Sequence, residues 1–274
     1  MKKLLAVIDL TIRESLAKKT FIAFFGISTM VCLLILFAMN LDIVNGADAY
    51  VSLFGQEIDE MVHVEDLIYN IQSVLAAALF TAGLFMALFA TSSLVPSFLQ
   101  KGTIDLMISK PLSRWQILTG RYLGAVTIVA FNIFYLIIFS WLILSLKTGV
   151  WNFGYLLSGV MITVTFAIMF SLMTLLSVLI QSGPFALMLT YLIVPISPLL
   201  LARDNIYALL SSKFYGYLLD GIYHFLPKLT ELGDITRIIV QGGAVNSWFP
   251  LVTSLMFGVI MLTASNIVFS RKNF

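Results

Sequence analysis

The chain has 274 residues, 60% of them hydrophobic and only 11% charged, against roughly 25% charged in a soluble domain. With a mean hydropathy of +1.00, this composition excludes an ordinary soluble fold. A formal net charge of +2 is too small for a nucleic-acid binder, and the single cysteine, Cys32, excludes an intrachain disulfide framework and a thiolate metal site.

The N-terminus, Met1-Lys2-Lys3 followed by Leu4–Ile8, imitates the start of a secretory signal. Asp9, Arg13 and Glu14 break the apolar run too early, and no small-residue cleavage site follows. Residues 4–18 read instead as an amphipathic helix in the membrane surface. Leu5, Ile8, Ile12 and Leu16 share one face, while Asp9, Arg13 and Lys18 lie elsewhere.

A bilayer core of about 30 Å needs about 20 apolar residues in a helix. The charge-free runs place the first three spans at about 21–41, 70–95 and 122–146. Between Lys147 and Arg203 the chain is uncharged for too long to be one helix, and Gln181-Ser182-Gly183-Pro184 is the natural break. The fourth span is therefore expected at 155–180 and the fifth at 184–202, with Pro195 and Pro198 kinking the fifth. A sixth follows at 248–270. Before it, 203–247 reads as an external helical segment. Its aromatic-rich part, 205–226, suits the lipid–water boundary, and Leu229, Leu232, Ile235 and Ile239 recur at helical spacing until Gly242-Gly243.

Orientation follows from lysine and arginine in alternate loops. The side holding the N-terminus, the stretch 100–121 and the C-terminal tail carries eleven of them; the other side carries five. The loop at 42–66 has seven acidic residues and no lysine or arginine. Both termini and 100–121 are thus expected in the cytoplasm of a cell-membrane protein.

No phosphate loop, His-Glu-x-x-His or Gly-x-Ser-x-Gly motif occurs, and His63 and His224 are the only histidines. No expected span carries an ionisable acid or base, which argues against a lipid-modifying membrane enzyme and against a proton-driven carrier. No catalytic residues or resident cofactor are expected, and any energy must come from another chain. The weak metal candidates are Glu60, His63 and Asp66, whose three-residue spacing would share a helix face. The plainer alternative is a solvated acidic loop. Met161, Met169 and Met173 read as flexible core packing, and Gly154, Ser158 and Gly159 as sites of close helix approach.

The stretch 100–121 is polar, basic and proline-bearing between two apolar spans. Gly102-Thr103 is a helix start, Ile104, Leu106, Met107 and Ile108 give a short apolar face, and Pro111 stops the helix. Ser113 is positioned to cap a second helix beginning at Arg114-Trp115.

Lys-Gly-Thr-Ile-Asp-Leu-Met-Ile-Ser-Lys-Pro-Leu-Ser-Arg over 101–114, followed by Gly120-Arg-Tyr-Leu-Gly124, resembles the signature of ABC exporter permeases of the second type (ABC-2-type permease subunits). The layout is similar too: an amphipathic entry helix, six spans, this segment after the second, and short external helices before the sixth. The acidic residue usual before the Gly-Thr pair is absent, since Phe98-Leu99-Gln100-Lys101 carries no carboxylate.

The resemblance implies an all-α polytopic membrane protein forming a single transmembrane domain, with 100–121 as its coupling segment. Gly102, Thr103, Asp105, Leu106, Pro111, Ser113 and Arg114 would then contact a separate ATP-binding subunit, present in two copies and holding ATP and Mg. A second permease chain would complete a homodimer or heterodimer. Such a chain either exports a substrate or transmits force to an external partner without transport. In intact cells, a membrane-impermeant thiol reagent should spare Lys101→Cys and Arg114→Cys and modify Asp59→Cys. Modification of either of the first two overturns this topology.

Overall fold

In lipid every backbone polar group must find a partner within the protein, which favours helices wherever the chain is apolar. The computed structural model describes residues 2–44, 48–53, 56–99, 113–202 and 213–272. The first elements are α1 (Lys2–Leu16) and α2 (Lys19–Ala38). A three-stranded antiparallel sheet follows, in the order β1 (Met39–Val44), β2 (Asp48–Leu53) and β3 (Gln56–His63).

The remaining elements are α3 (Val64–Phe98), α4 (Arg114–Thr148), α5 (Phe153–Ile180), α6 (Gly183–Leu201), α7 (Lys213–Phe225), α8 (Leu229–Val240) and α9 (Phe249–Arg271). Helices α3, α4, α5, α6 and α9 are each long and apolar enough to cross a bilayer. α1 and α2, bent by 70° at their junction, supply a sixth span if the pair counts as one. The chain is a multi-pass membrane protein with an all-helical membrane portion.

The helix boundaries follow local chemistry. Ser113 and Gln116 form a capping box at the start of α4, the Ser113 N–H donating to Gln116 Oε1 at 3.2 Å. Gly149, at φ 74°, ends α4 in the left-handed conformation that favours glycine. Asn152 caps α5 by accepting from the Gly154 N–H at 2.9 Å. The expected break at Gln181-Ser182-Gly183-Pro184 separates α5 from α6, with Pro184 in the first turn. α6 is interrupted at Leu192, one turn before Pro195, whose missing N–H leaves the carbonyl four residues earlier without its helical donor. Gly242, at φ 70°, ends α8.

Two boundaries differ from the sequence expectation. The first span ends at Ala38, and 39–44, 48–53 and 56–63 pair as strands, Met39 opposite Leu53 and Leu53 opposite Gln56. Runs rich in Ile, Val and Tyr separated by Asn45-Gly46 and Phe54-Gly55 carry a hairpin signal that the acidic composition obscured. The second span is longer than expected, because its helix continues through a π-helical turn at Leu79–Gly83 and ends at Phe98 after a turn at Ser92-Ser93.

α5 is the central helix, packed on α4, α8 and α9. Tyr155, Phe166 and Phe170 are fully buried on it, and the Tyr122, Phe170 and Phe166 rings stack in sequence at 5.6 and 5.4 Å. Met161, Met169 and Met173 are buried in this core, as expected. Lipid tails are as apolar as the side chains, so helix association depends on close packing and interhelical hydrogen bonds.

Asn152 supplies such bonds at one end, its Nδ2 donating to Gln72 Oε1 at 2.8 Å and to Val240 O at 2.7 Å. Trp141 Nε1 donates to Asn152 O at 2.9 Å, so α3, α4, α5 and α8 meet at one residue. At the corner between α7 and α8, buried Lys228 donates to Thr253 Oγ1 at 2.9 Å and lies 4.4 Å from the Tyr223 ring.

Gly154 permits the closest approach: a Cβ there would lie 2.2 Å from Ile239 O, a backbone atom that cannot turn aside. Gly154→Ala should therefore push α8 off α5 and cost about 3 kcal/mol, read as a lowered thermal midpoint in detergent. An unchanged midpoint would refute this contact.

Candidate functional site

The ends of the helices that frame 100–112 meet α1 and the end of α9 at the end of the bundle that holds Arg13, Lys18, Arg114, Arg121 and Lys272. Gly102, Thr103, Asp105, Leu106 and Pro111 lie outside the described residues. Ser113 and Arg114 open α4.

α1 lies along the first turns of α4. Val7, Thr11 and Ser15, spaced four apart, are buried there, while Leu5 and Leu16 on the expected lipid-facing side stay exposed. The contact depends on two glycines one turn apart on α4. A Cβ at Gly120 would lie 2.8 Å from Val7 Cβ, and one at Gly124 would lie 2.7 Å from Thr11 Cβ. Small residues four apart let two helix backbones approach. The sequence reading identified the lipid face of α1 and missed this stripe, although Gly120-x-x-x-Gly124 was its visible signal.

Between the glycines, Arg121 is 3% exposed and pairs through Nη1 with Glu14 Oε2 of α1. Its guanidinium also lies 5.4 Å from the Phe98 ring centroid. Glu14 Oε1 accepts from Ser97 Oγ at 3.3 Å and stands 3.7 Å from Lys18 Nζ, which donates to Ser93 Oγ at 3.0 Å. Burial pushes the Lys18 ammonium down, with the Glu14 carboxylate pulling it back up.

Arg114 faces the other neighbour. Its Nη1 donates to Ser270 O at 3.0 Å and Lys272 O at 2.7 Å, a cation at the negative end of α9. Lys272 Nζ in turn donates to Val178 O at 2.8 Å near the end of α5. The sequence offered no pointer to this bond. These contacts attach the ends of α1, α3, α4, α5 and α9 to one another.

At the opposite end a cavity of about 640 Å³ is lined by His63, Glu65, Asp66, Tyr69 and Trp151, among others. The spacing argument for Glu60, His63 and Asp66 is corrected here. Glu60 and His63 belong to β3 and Asp66 to α3, so the three do not share a helix face. Among the described residues, no three His, Cys, Asp or Glu side chains come together as metal ligands. Within the bundle, Ser28 Oγ donates to Asn132 Oδ1 at 3.0 Å, and Ser140 and Tyr155 hydroxyls lie 2.9 Å apart, polar pairs that join helices.

No protein-family model matches the chain, and no curated protein matches it significantly.

Glu14→Leu should leave the Arg121 guanidinium buried without its counter-charge, at a cost on the order of 3 kcal/mol, the low end for a broken buried pair because solvent reaches Glu14. Adding Arg121→Leu should recover most of that loss in thermal unfolding. Additive losses would show that the pair is not coupled.

Proposed function

We propose that the chain is the permease subunit of an ATP-driven ABC exporter. It would couple ATP hydrolysis by a separate subunit to movement of a substrate across the cell membrane. The observation that carries this reading is the signature over 101–114 and 120–124, a contact segment in a chain without a phosphate loop. The arrangement around it supports the reading: α3, α4, α1 and α9 all bring their ends to the base of that segment, so force applied there reaches four helices directly.

In this reading the basic end faces the cytoplasm, with both termini. Two ATP-binding subunits hold ATP and Mg²⁺ beneath two permease chains, as a homodimer or heterodimer. Closure of the ATPase pair moves the coupling segments, and the bundles tilt to open a path outward. Gly102, Thr103, Asp105, Leu106, Pro111 and Ser113 make the docking surface. Arg114 has a second task, since its guanidinium already engages the α9 carbonyls.

Purified gently from its membrane, the chain should carry an ABC-type ATPase with it. Gly102→Pro, which blocks the helix start, should lower that retention at least about tenfold, the scale of roughly 1.4 kcal/mol of binding. Full retention by this variant, with the fold intact by thermal unfolding, would defeat the docking role.

A further inference from the structure

Glu14 touches both flanks of the segment assigned to the ATPase, and does so from a different helix. On the near flank, Ser97 Oγ donates to Glu14 Oε1 at 3.3 Å, three residues ahead of Gln100. On the far flank, Arg121 pairs with Glu14 Oε2 in the second turn of α4. Lys18, 3.7 Å from Glu14 Oε1, closes the ring by donating to Ser93 Oγ at 3.0 Å. The ends of α3 and α4 are therefore joined through one carboxylate on α1.

Neither partner can slip easily. Arg121 is 3% exposed and lies against Phe98, so its charge has no short route to water. Sliding α1 along α4 would move Val7 and Thr11 off Gly120 and Gly124, the positions whose lack of a Cβ allows this close approach, and onto neighbours that carry side chains. A displacement of α3's end against α4's start must therefore break the Glu14 contacts or carry α1 with it. α1 continues through the 70° bend into α2.

We infer that Glu14 is a positioning residue that yokes the end of α3 and the start of α4 to α1, so that α1 and its bend into α2 carry motion of those two helix ends into the bundle. The source of the motion rests on the proposed docking of an ATPase; the yoke itself does not.

The first test needs no ATPase. With the full chain in lipid nanodiscs, hydrogen–deuterium exchange should rise about tenfold or more in Glu14→Gln at 93–99 and at 113–121, as well as in α1, because local opening of both flanks becomes easier. A rise confined to α1 overturns the yoke. The reversed pair, Glu14→Arg with Arg121→Glu, should return exchange on both flanks toward wild type, and failure to do so counts against it equally.

The second test uses the complex with its ATPase, with Cys32→Ser and spin labels at Leu10→Cys and Phe153→Cys. ATP with vanadate should shift the label separation in this parent chain. It should not do so after Glu14→Gln, although the ATPase stays bound and turns over ATP. An equal shift in both overturns the transmission role. If the parent chain retains no ATPase, the docking reading fails while the exchange result still decides the yoke.

Discussion

A guanidinium cannot shed its charge in a protein, so an arginine held at 3% exposure among apolar helices must be given a counter-charge. At Arg121 that counter-charge comes from Glu14, on a helix separated from it by more than one hundred residues. The demand organises this end of the molecule. α1 must lie on α4 for the carboxylate to reach, the two backbones must approach closely, and only residues without a Cβ at 120 and 124 allow it. Ser97 and Lys18 then complete the coordination of Glu14 and draw in the end of α3.

The opposite end is fastened by the same principle with neutral groups. Asn152 joins α3, α5 and α8 through bonds of 2.7–2.9 Å, and Trp141 adds α4. Between the two nodes, hydroxyls on α5 mostly bond back to their own helix, as Thr165 and Thr174 do, and apolar side chains fill the space. A few polar pairs also cross between helices there, Ser28 with Asn132 and Ser140 with Tyr155, so the bundle is fastened along its length as well as at its ends.

This arrangement gives the export proposal a physical route. In that proposal, a chain without a phosphate-loop motif needs a place where outside force enters and a path by which it spreads. The segment 100–112 is bracketed by α3 and α4. Arg114 links the far bracket to α9, and Glu14 links both brackets to α1. Under the proposal the entry helix would share in the transmission as well as lying on the membrane surface, which its exposed Leu5 and Leu16 suit.

Much of this was legible in one dimension because bilayer thickness and helix-breaking residues act locally. Apolar runs marked the spans, Gly183-Pro184 marked the turn between α5 and α6, and Ser113 marked the start of α4. The i, i+3 recurrence of Leu229, Leu232 and Ile235 marked the buried face of α8. The strands at 39–44, 48–53 and 56–63 are harder to read, because seven acidic residues over 42–66 mask their alternation. What no local pattern could contain was partnership across the chain: that Glu14 meets Arg121, that Arg114 closes the end of α9, and that Glu60, His63 and Asp66 divide between a strand and a helix. Composition and periodicity determine which segments cross the membrane. Which charged groups neutralise one another is decided only when distant helices pack, because a Coulomb contact depends on separation in space and on excluded water, neither of which is written along the sequence.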